Sequence, residues 1–512
     1  MPCRRLYAQL PILLTFLLLL AARLYWISCK ENLYGDEMTS VCIAFGNPGW
    51  GRQTFDNDRV YTGSELRKLT YTDSENPNGG VAHDLRRLHR YNSDPSHASL
   101  YYMALRCALA DIDAPNMKTL VWRGCGLNLL FFSISFAALA LLLQKLFPTN
   151  AALQAFCLII AFANPAAMST TLFVREYAMA GMFLCLFALW LANSPGFGAG
   201  ISRKPTTGWA IGGAAITACL VSCGYFNAAF VALSFALIAY RCIRAKEKRL
   251  PIWLLGISAA AVVVCWAMYL GFFNFIIDDR TAEVSDKLQG GSLINNLKAT
   301  AIGIGYIFFK RILTLPLLFT MAACATYLYI RKRLRNIRPN RIELEFLAVG
   351  TVWMIAVLWL ATWKSERFVS PAIPLAVAIF SASLYRLFAS CHKRLPVIIA
   401  LVTFVFSQFP GNVDHLERTA SRTWRAAGEK SIYLYGPDYA EINTMPQLIP
   451  YIADNQECVI LKDMDDLHRF ATNTEKEVHV FGSNGCEELE KQAGLNRIYN
   501  FNTWTSDYVI RP

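Results

Sequence analysis

The sequence predicts a polytopic α-helical membrane protein, with about eleven transmembrane helices and a small C-terminal α/β soluble domain. Three observations carry this. The 512 residues are 54% hydrophobic and only 17% charged, where a soluble globular chain carries about 25% charge. Mean hydropathy is positive, at +0.32. The net charge of +12 is uneven: from Gly411 onward 10 Lys and Arg face 16 Asp and Glu, so the basic excess lies in the first 410 residues. This composition excludes a cytosolic multidomain enzyme and a disordered chain.

Apolar stretches long enough to span a bilayer lie near 9–28, 125–143, 151–171, 177–193, 208–223, 225–240, 251–275, 312–330, 343–362, 371–389 and 395–410. The fifth and sixth are short and read as a tight hairpin around Ser222–Asn227. Arg4 and Arg5 before the first stretch look like the start of a signal peptide. No small-residue cleavage site follows, and Arg23 interrupts its end, so a retained anchor is expected.

Basic residues collect in cytoplasmic loops. Arg4, Arg5, Lys145, Arg203, Lys204, the Arg241–Arg249 cluster, the Arg331–Arg341 run, Lys393 and Arg394 all fall on one side if eleven spans start from an inner N-terminus. Only Glu247 opposes them. This parity places His97–Ala110 and Leu293–Phe309 at the outer interface rather than across the membrane. It leaves a large first outer loop, 29–123, and a second outer segment, 277–311. A transmembrane domain, 1–410, precedes an exported domain, 411–512. A loop as long as the first is expected to be functional. The C-terminal Val509-Ile510-Arg511-Pro512 holds no eukaryotic retention signal. A bacterial inner membrane is the expected home, with a cytoplasmic N-terminus and a periplasmic tail.

The tail alternates strand-like SIYLYG, ECVILKD, EVHVFGS and RIYNF with helix-like PQLIPYIADN, DLHRFAT and CEELEKQAG, a small α/β layer pattern. No phosphate-loop or dinucleotide signature appears in it. Many of the 15 cysteines, Cys157, Cys185, Cys219, Cys265 and Cys324 among them, fall inside spans, where a small thiol packs well. Cys458 and Cys486 share the exported domain, and pairing and free thiols are equally open for them. Cys42 and Cys107 are a weaker pair.

Four features fall on the outer face. Asp36 and Glu37 follow the first span; adjacent carboxylates there suit a general base or a cation site, and a divalent metal ion is the one candidate cofactor. The plain alternative is a solvated acidic pair. Asp94 and His97 lie in DPSHASLYYM, where Asp94 suits a turn or N-cap; His83 and His89 upstream raise a weak metal reading. Arg175-Glu176-Tyr177 sits between the third and fourth spans, as a structural ion pair or as a forked guanidinium for a lipid phosphate. Lys364, Glu366 and Arg367 lie in WKSERFVSPAIP. With Lys310 and Arg311 they add cations beside carboxylates, as an anionic lipid-linked donor requires.

In this order the motifs resemble the GT-C superfamily of integral membrane glycosyltransferases, especially the dolichyl-phosphate-mannose protein mannosyltransferase-like and aminoarabinose lipid A transferase-like members. The acidic pair after the first span is matched by Asp36-Glu37. An H-P-P-L-Y-Y-like segment is matched in part by His97-Ala98-Ser99-Leu100-Tyr101-Tyr102. The turn after the third span is matched by Val174-Arg175-Glu176-Tyr177-Ala178. The R-Y-x-x-P-x-x-P motif is matched by Arg367-Phe368-Val369-Ser370-Pro371-Ala372-Ile373-Pro374. Ala98 and Ser99 replace two prolines, and Phe368 replaces a tyrosine.

The resemblance implies transfer of a monosaccharide from a polyprenyl-phosphate donor to a glycan, lipid or protein acceptor on the periplasmic or lumenal face. Asp36 is then the general base, supported by Glu37. Arg175, Lys310, Arg311 and Arg367 are candidates for the leaving phosphate. Asp94, His97, Tyr101, Glu176, Tyr177 and Lys364 complete the substrate-binding set. Membrane lipids are expected partners and nucleic acid is not. Two other readings stand beside this one, a transporter or flippase of a lipid-linked sugar and an inactive scaffold. Transporters carry ionisable groups within spans or inverted repeats, whereas here the polar groups gather at one surface.

Overall fold

The computed structural model describes residues 2–45, 59–71, 79–91, 94, 97–112, 116–194, 205–277, 293–332, 339–361, 364–417, 432–435, 445–461, 478–483, 495–500 and 505–510. Arg203, Lys204, Arg333, Arg335, Arg338, Cys486 and the helices expected over DLHRFAT and CEELEKQAG lie outside the described residues.

The chain opens with α1 (Pro2–Cys29) and α2 (Gly35–Ala44), then β1 (Val60–Thr62), α3 (Gly63–Tyr71), α4 (Gly80–Arg90) and α5 (Leu100–Ala108). The long α6 (Met117–Leu146) leads to α7 (Ala151–Ala163), α8 (Pro165–Leu172) and α9 (Tyr177–Ala192). Next come α10 (Thr207–Val221), α11 (Phe226–Arg244), α12 (Arg249–Met268) and α13 (Leu293–Tyr306), which runs into a π-turn over Ile307–Ile312. Then follow α14 (Leu315–Ile330), α15 (Arg341–Leu360), α16 (Ile373–Cys391) and α17 (Leu395–Ser407).

Six of these helices are long and apolar enough to cross a membrane. Two more candidates are bent pairs, α7 with α8 at 60° and α13 through its π-turn with α14 at 96°. α9, α10 and α17 are shorter apolar helices. Each of the eleven stretches expected from hydropathy coincides with one of these elements. The protein is an integral, polytopic helical membrane protein.

The chain divides into two compact units. The first holds Met1–Tyr25, Pro95–Tyr101 and Asn128–Asp414. Its core is helix against helix: Phe132, Phe136 and Phe162 pack edge and face, and Trp353 is buried against Phe230. α9 and α10 approach closely because Gly213 has no side chain; a Cβ there would stand 2.2 Å from the Trp190 ring. Trp190 instead stacks on Trp209 with centroids 4.7 Å apart.

The second unit holds Trp26–Asp94, Tyr102–Leu127 and His415–Pro512. Its sheet contains β2 (Ile432–Tyr435), β3 (Glu457–Leu461), β4 (Val478–Ser483), β5 (Leu495–Asn500) and β6 (Thr505–Ile510), in the order β1-β3-β2-β4-β6-β5. β2 runs parallel to β3 and β4 (Ile432 opposite Cys458 and His479), while β1, β5 and β6 pair antiparallel. The edge strand β1 comes from the segment between α2 and α3, with Val60 opposite Val459. All four strands expected in the tail are present; β1 and β6 were not anticipated. Gly63 ends β1 against the tail, where a Cβ would stand 2.1 Å from the Ala453 carbonyl.

Candidate active site

The third span is broken by chemistry that its sequence dictates. Pro165 has no N–H, so the helix cannot continue its ladder. Asn164 repairs the gap: its amide Nδ2 donates to Ala161 and Ile160 carbonyls at 2.7 and 3.1 Å, and its Oδ1 accepts from Ala167 N at 3.0 Å. α8 therefore starts at a new angle, 60° from α7, and ends at Phe173, whose backbone is extended. Beyond it Arg175, Glu176 and Tyr177 turn into α9.

At that elbow Arg175 is 6% exposed and Glu176 5%. The Arg175 Nη2 lies 3.1 Å from Nε2 of His97. An arginine can only donate, so this ring nitrogen accepts and Nδ1 carries the proton. Nδ1 stands 2.9 Å from Glu176 Oε1. Arg175 Nε is 3.3 Å from Glu176 Oε2, closing a triangle. Burial would raise the Glu176 carboxyl, but His97 and Arg175 overturn that and hold it at about 2. Tyr177 stacks on Phe173 at 5.7 Å and meets the Phe368 ring edge-on at 6.5 Å.

Phe368 belongs to the Arg367 motif, whose loop packs against α8 and α9. The Arg367 guanidinium lies over the Phe368 ring at 5.1 Å, and Ser370 Oγ donates to the Arg367 carbonyl. Arg311, 4% exposed, is held by two carboxylates: Nε and Nη2 reach Glu366 at 2.6 and 2.9 Å, and Nη2 reaches Asp414 at 2.6 Å. It also donates to Ser169 of α8 and to the Asn412 carbonyl. Burial raises the Glu366 carboxyl above its ordinary value, with Arg311 opposing. Lys364 Nζ caps α15, donating to Trp359 and Ala361 carbonyls at 3.1 and 2.9 Å. Lys310 is exposed, over the Tyr306 ring at 5.3 Å. Within this unit His97, Arg175, Glu176, Tyr177 and the Arg367 motif thus gather at one elbow. Ser169 of the same α8 reaches Arg311.

Tyr101 donates to Asn128 Oδ1 at 3.4 Å in the same unit. Asp94 belongs to the second unit, where Tyr102 donates to its Oδ2 at 3.0 Å.

Asp36 and Glu37 also belong to the second unit, in the first turn of α2, where carboxylates favour the helix N-terminus. They are not alike. Glu37 is fully buried; Lys30 Nζ donates to both its oxygens at 3.0 and 2.8 Å and to the His415 carbonyl at 2.7 Å. Glu37 also accepts from Tyr34 N at 2.6 Å, which locks the helix start. Asp36 is half-buried. With Glu37 committed to Lys30, the pair does not fit a divalent cation. Among the described residues no three His, Cys, Asp or Glu side chains stand close enough to hold a metal ion. Cys42 and Cys107 are free thiols. Burial pushes the Cys458 thiol up to about 12.

Sequence reasoning missed Lys30, Asn128, Ser169 and Asp414 as partners. Arg23 carried a signal, a charge inside a span, but was read only as an interruption.

Comparison with solved structures follows this architecture over nearly its whole length. ArnT from Cupriavidus metallidurans bound to undecaprenyl phosphate aligns with a TM-score of 0.54 at 12% identity, covering 97% of each chain. The fold is GT-C-like. The apo state of the same ArnT aligns at 0.51, with the same identity and coverage. No protein-family model matches the sequence, and no curated protein matches it.

Proposed function

We propose that the protein is a membrane glycosyltransferase that moves a monosaccharide from a polyprenyl-phosphate donor to an acceptor hydroxyl, on the periplasmic face of a bacterial inner membrane. The observation that carries the reading is the GT-C-like fold, shared over 97% of the chain with a protein bound to undecaprenyl phosphate. The buried elbow supports the reading with a guanidinium held between His97 and Glu176.

In this reading Asp36 accepts the proton of the acceptor hydroxyl. The freed oxygen forms a bond to the anomeric carbon. The bond from that carbon to the phosphate oxygen breaks, and its electrons leave with polyprenyl phosphate. The departing group gains negative charge, which fixed cations stabilise best when water is excluded. Arg175 is the principal phosphate contact, because His97 and Glu176 fix its fork. Arg367 and Lys310 add positive charge. Arg311 holds its loops through Glu366 and Asp414 rather than receiving the phosphate. Glu37 orients the turn that carries Asp36. The tail domain is assigned no chemistry.

The test is mass analysis of envelope glycolipids and glycoproteins with and without the gene, joined to an assay of the purified protein for release of polyprenyl phosphate from a polyprenyl-phosphate sugar. One glycan should vanish in the deletion, and release should require an acceptor. An unchanged envelope with no release would refute the reading.

A further inference from the structure

Two buried polar side chains of the first unit take no part in the chemistry above. Arg23 lies in the first span, 1% exposed. An ionisable group in a span is costly, and its partners usually explain its presence. Its guanidinium covers the Phe132 ring at 3.7 Å. Nε donates to Thr171 Oγ1 at 3.0 Å, Nη2 to the Phe162 carbonyl at 2.8 Å, and Nη1 to the Leu19 carbonyl at 3.3 Å. Phe162 lies just before the Asn164-Pro165 break. Arg23 thus satisfies a carbonyl freed by the break and grips α8 in its last turn.

Asn128 continues the same support. It is fully buried. Its Nδ2 donates to the Phe173 carbonyl at 2.7 Å and to the Thr171 carbonyl at 3.4 Å, and its Oδ1 accepts from Tyr101. The Phe173 carbonyl also accepts from Arg175 N at 2.7 Å. One side-chain amide therefore holds the peptide that leads into Arg175.

We infer that Arg23 and Asn128 are positioning residues that clamp the broken third span and the turn that follows it, so that the Arg175 guanidinium is presented in one orientation to a lipid-linked phosphate. The inference rests on the phosphate role proposed for Arg175. A guanidinium fork gains its advantage over a point charge only when its plane is fixed. Arg23 works through Thr171 and the carbonyls of the break, and Asn128 through the turn itself.

The experiment measures binding of farnesyl phosphate and of farnesol to the purified full chain in detergent. The proteins are wild type, Arg175→Ala, Asn128→Ala, the double variant, Arg23→Lys and Arg23→Gln. Arg175→Ala should weaken farnesyl phosphate binding by about tenfold or more. Asn128→Ala should weaken it by about three- to tenfold alone and add nothing in the Arg175→Ala background. Farnesol, which lacks the phosphate, should bind all variants alike. Arg23→Gln should behave as Asn128→Ala, with Arg23→Lys between it and wild type. Should the Arg23 variants fail to fold, the Asn128 cycle decides the matter.

Additive losses, or farnesol binding that falls in step, would overturn the inference in favour of simple structural damage. An Arg175→Ala protein that keeps full affinity would instead refute the phosphate reading, and the inference with it.

Discussion

His97 donates from Nδ1 to Oε1 of Glu176 across 2.9 Å, while its other ring nitrogen takes a hydrogen bond from Arg175. The histidine therefore fills the space between a buried acid and a buried base and aligns both. Glu176 is held at about 2. Its folded form thus binds fewer protons than its unfolded form, so its contribution to stability is present above pH 4.5 and is lost as pH falls through about 2. Thermal unfolding of the solubilised protein between about pH 6 and about pH 3 should show a steeper loss for wild type than for Glu176→Gln. Parallel curves would contradict this.

Lys30 and Glu37 form a fully buried ion pair. Removing one member leaves an uncompensated charge, which typically costs about 3–5 kcal/mol. Lys30→Met should therefore lower the unfolding temperature sharply. The double variant Lys30→Met with Glu37→Gln should recover much of the loss. A double variant as unstable as the single one would show that the pair is not the cause.

Arg311 bridges Glu366 and Asp414 in a planar fork. A lysine keeps the charge but not the fork. Arg311→Lys should cost stability by about 1–3 kcal/mol while leaving affinity for a polyprenyl phosphate within about twofold. Lost affinity in a stable protein would restore Arg311 to the phosphate site.

Asp36 differs from its neighbour in being half-buried, whereas Glu37 is fully buried. Asp36→Asn should cut sugar transfer by about 10²–10⁴-fold, the usual contribution of a general base, with an unchanged unfolding temperature. Transfer at the wild-type rate would move the base elsewhere.

The membrane architecture was legible because hydropathy is a local property, and each apolar stretch reports its own environment. The Asn164-Pro165 break was equally local, yet a hydropathy window averages over it. The strands of the tail were legible from alternation, except β6; β1, early in the chain, has only three residues, too few to show a period, and pairs with residues some 400 positions away. The elbow residues were singled out because charges at span ends are visible. Their geometry was not, since His97 and Arg175 are 78 positions apart and only folding joins them. Arg23 shows the limit most clearly. Sequence alone marks it as a flaw in a span, while the Phe162 carbonyl it satisfies belongs to another helix.

The most direct test of the account is equilibrium binding of a radiolabelled polyprenyl phosphate to the purified protein, against the matching polyprenol, in wild type and in Arg175→Ala. The account predicts that wild type prefers the phosphate and that Arg175→Ala loses about tenfold or more of that preference with no change in polyprenol binding. Equal affinity of wild type for the two lipids, or a preference untouched by the substitution, would contradict it.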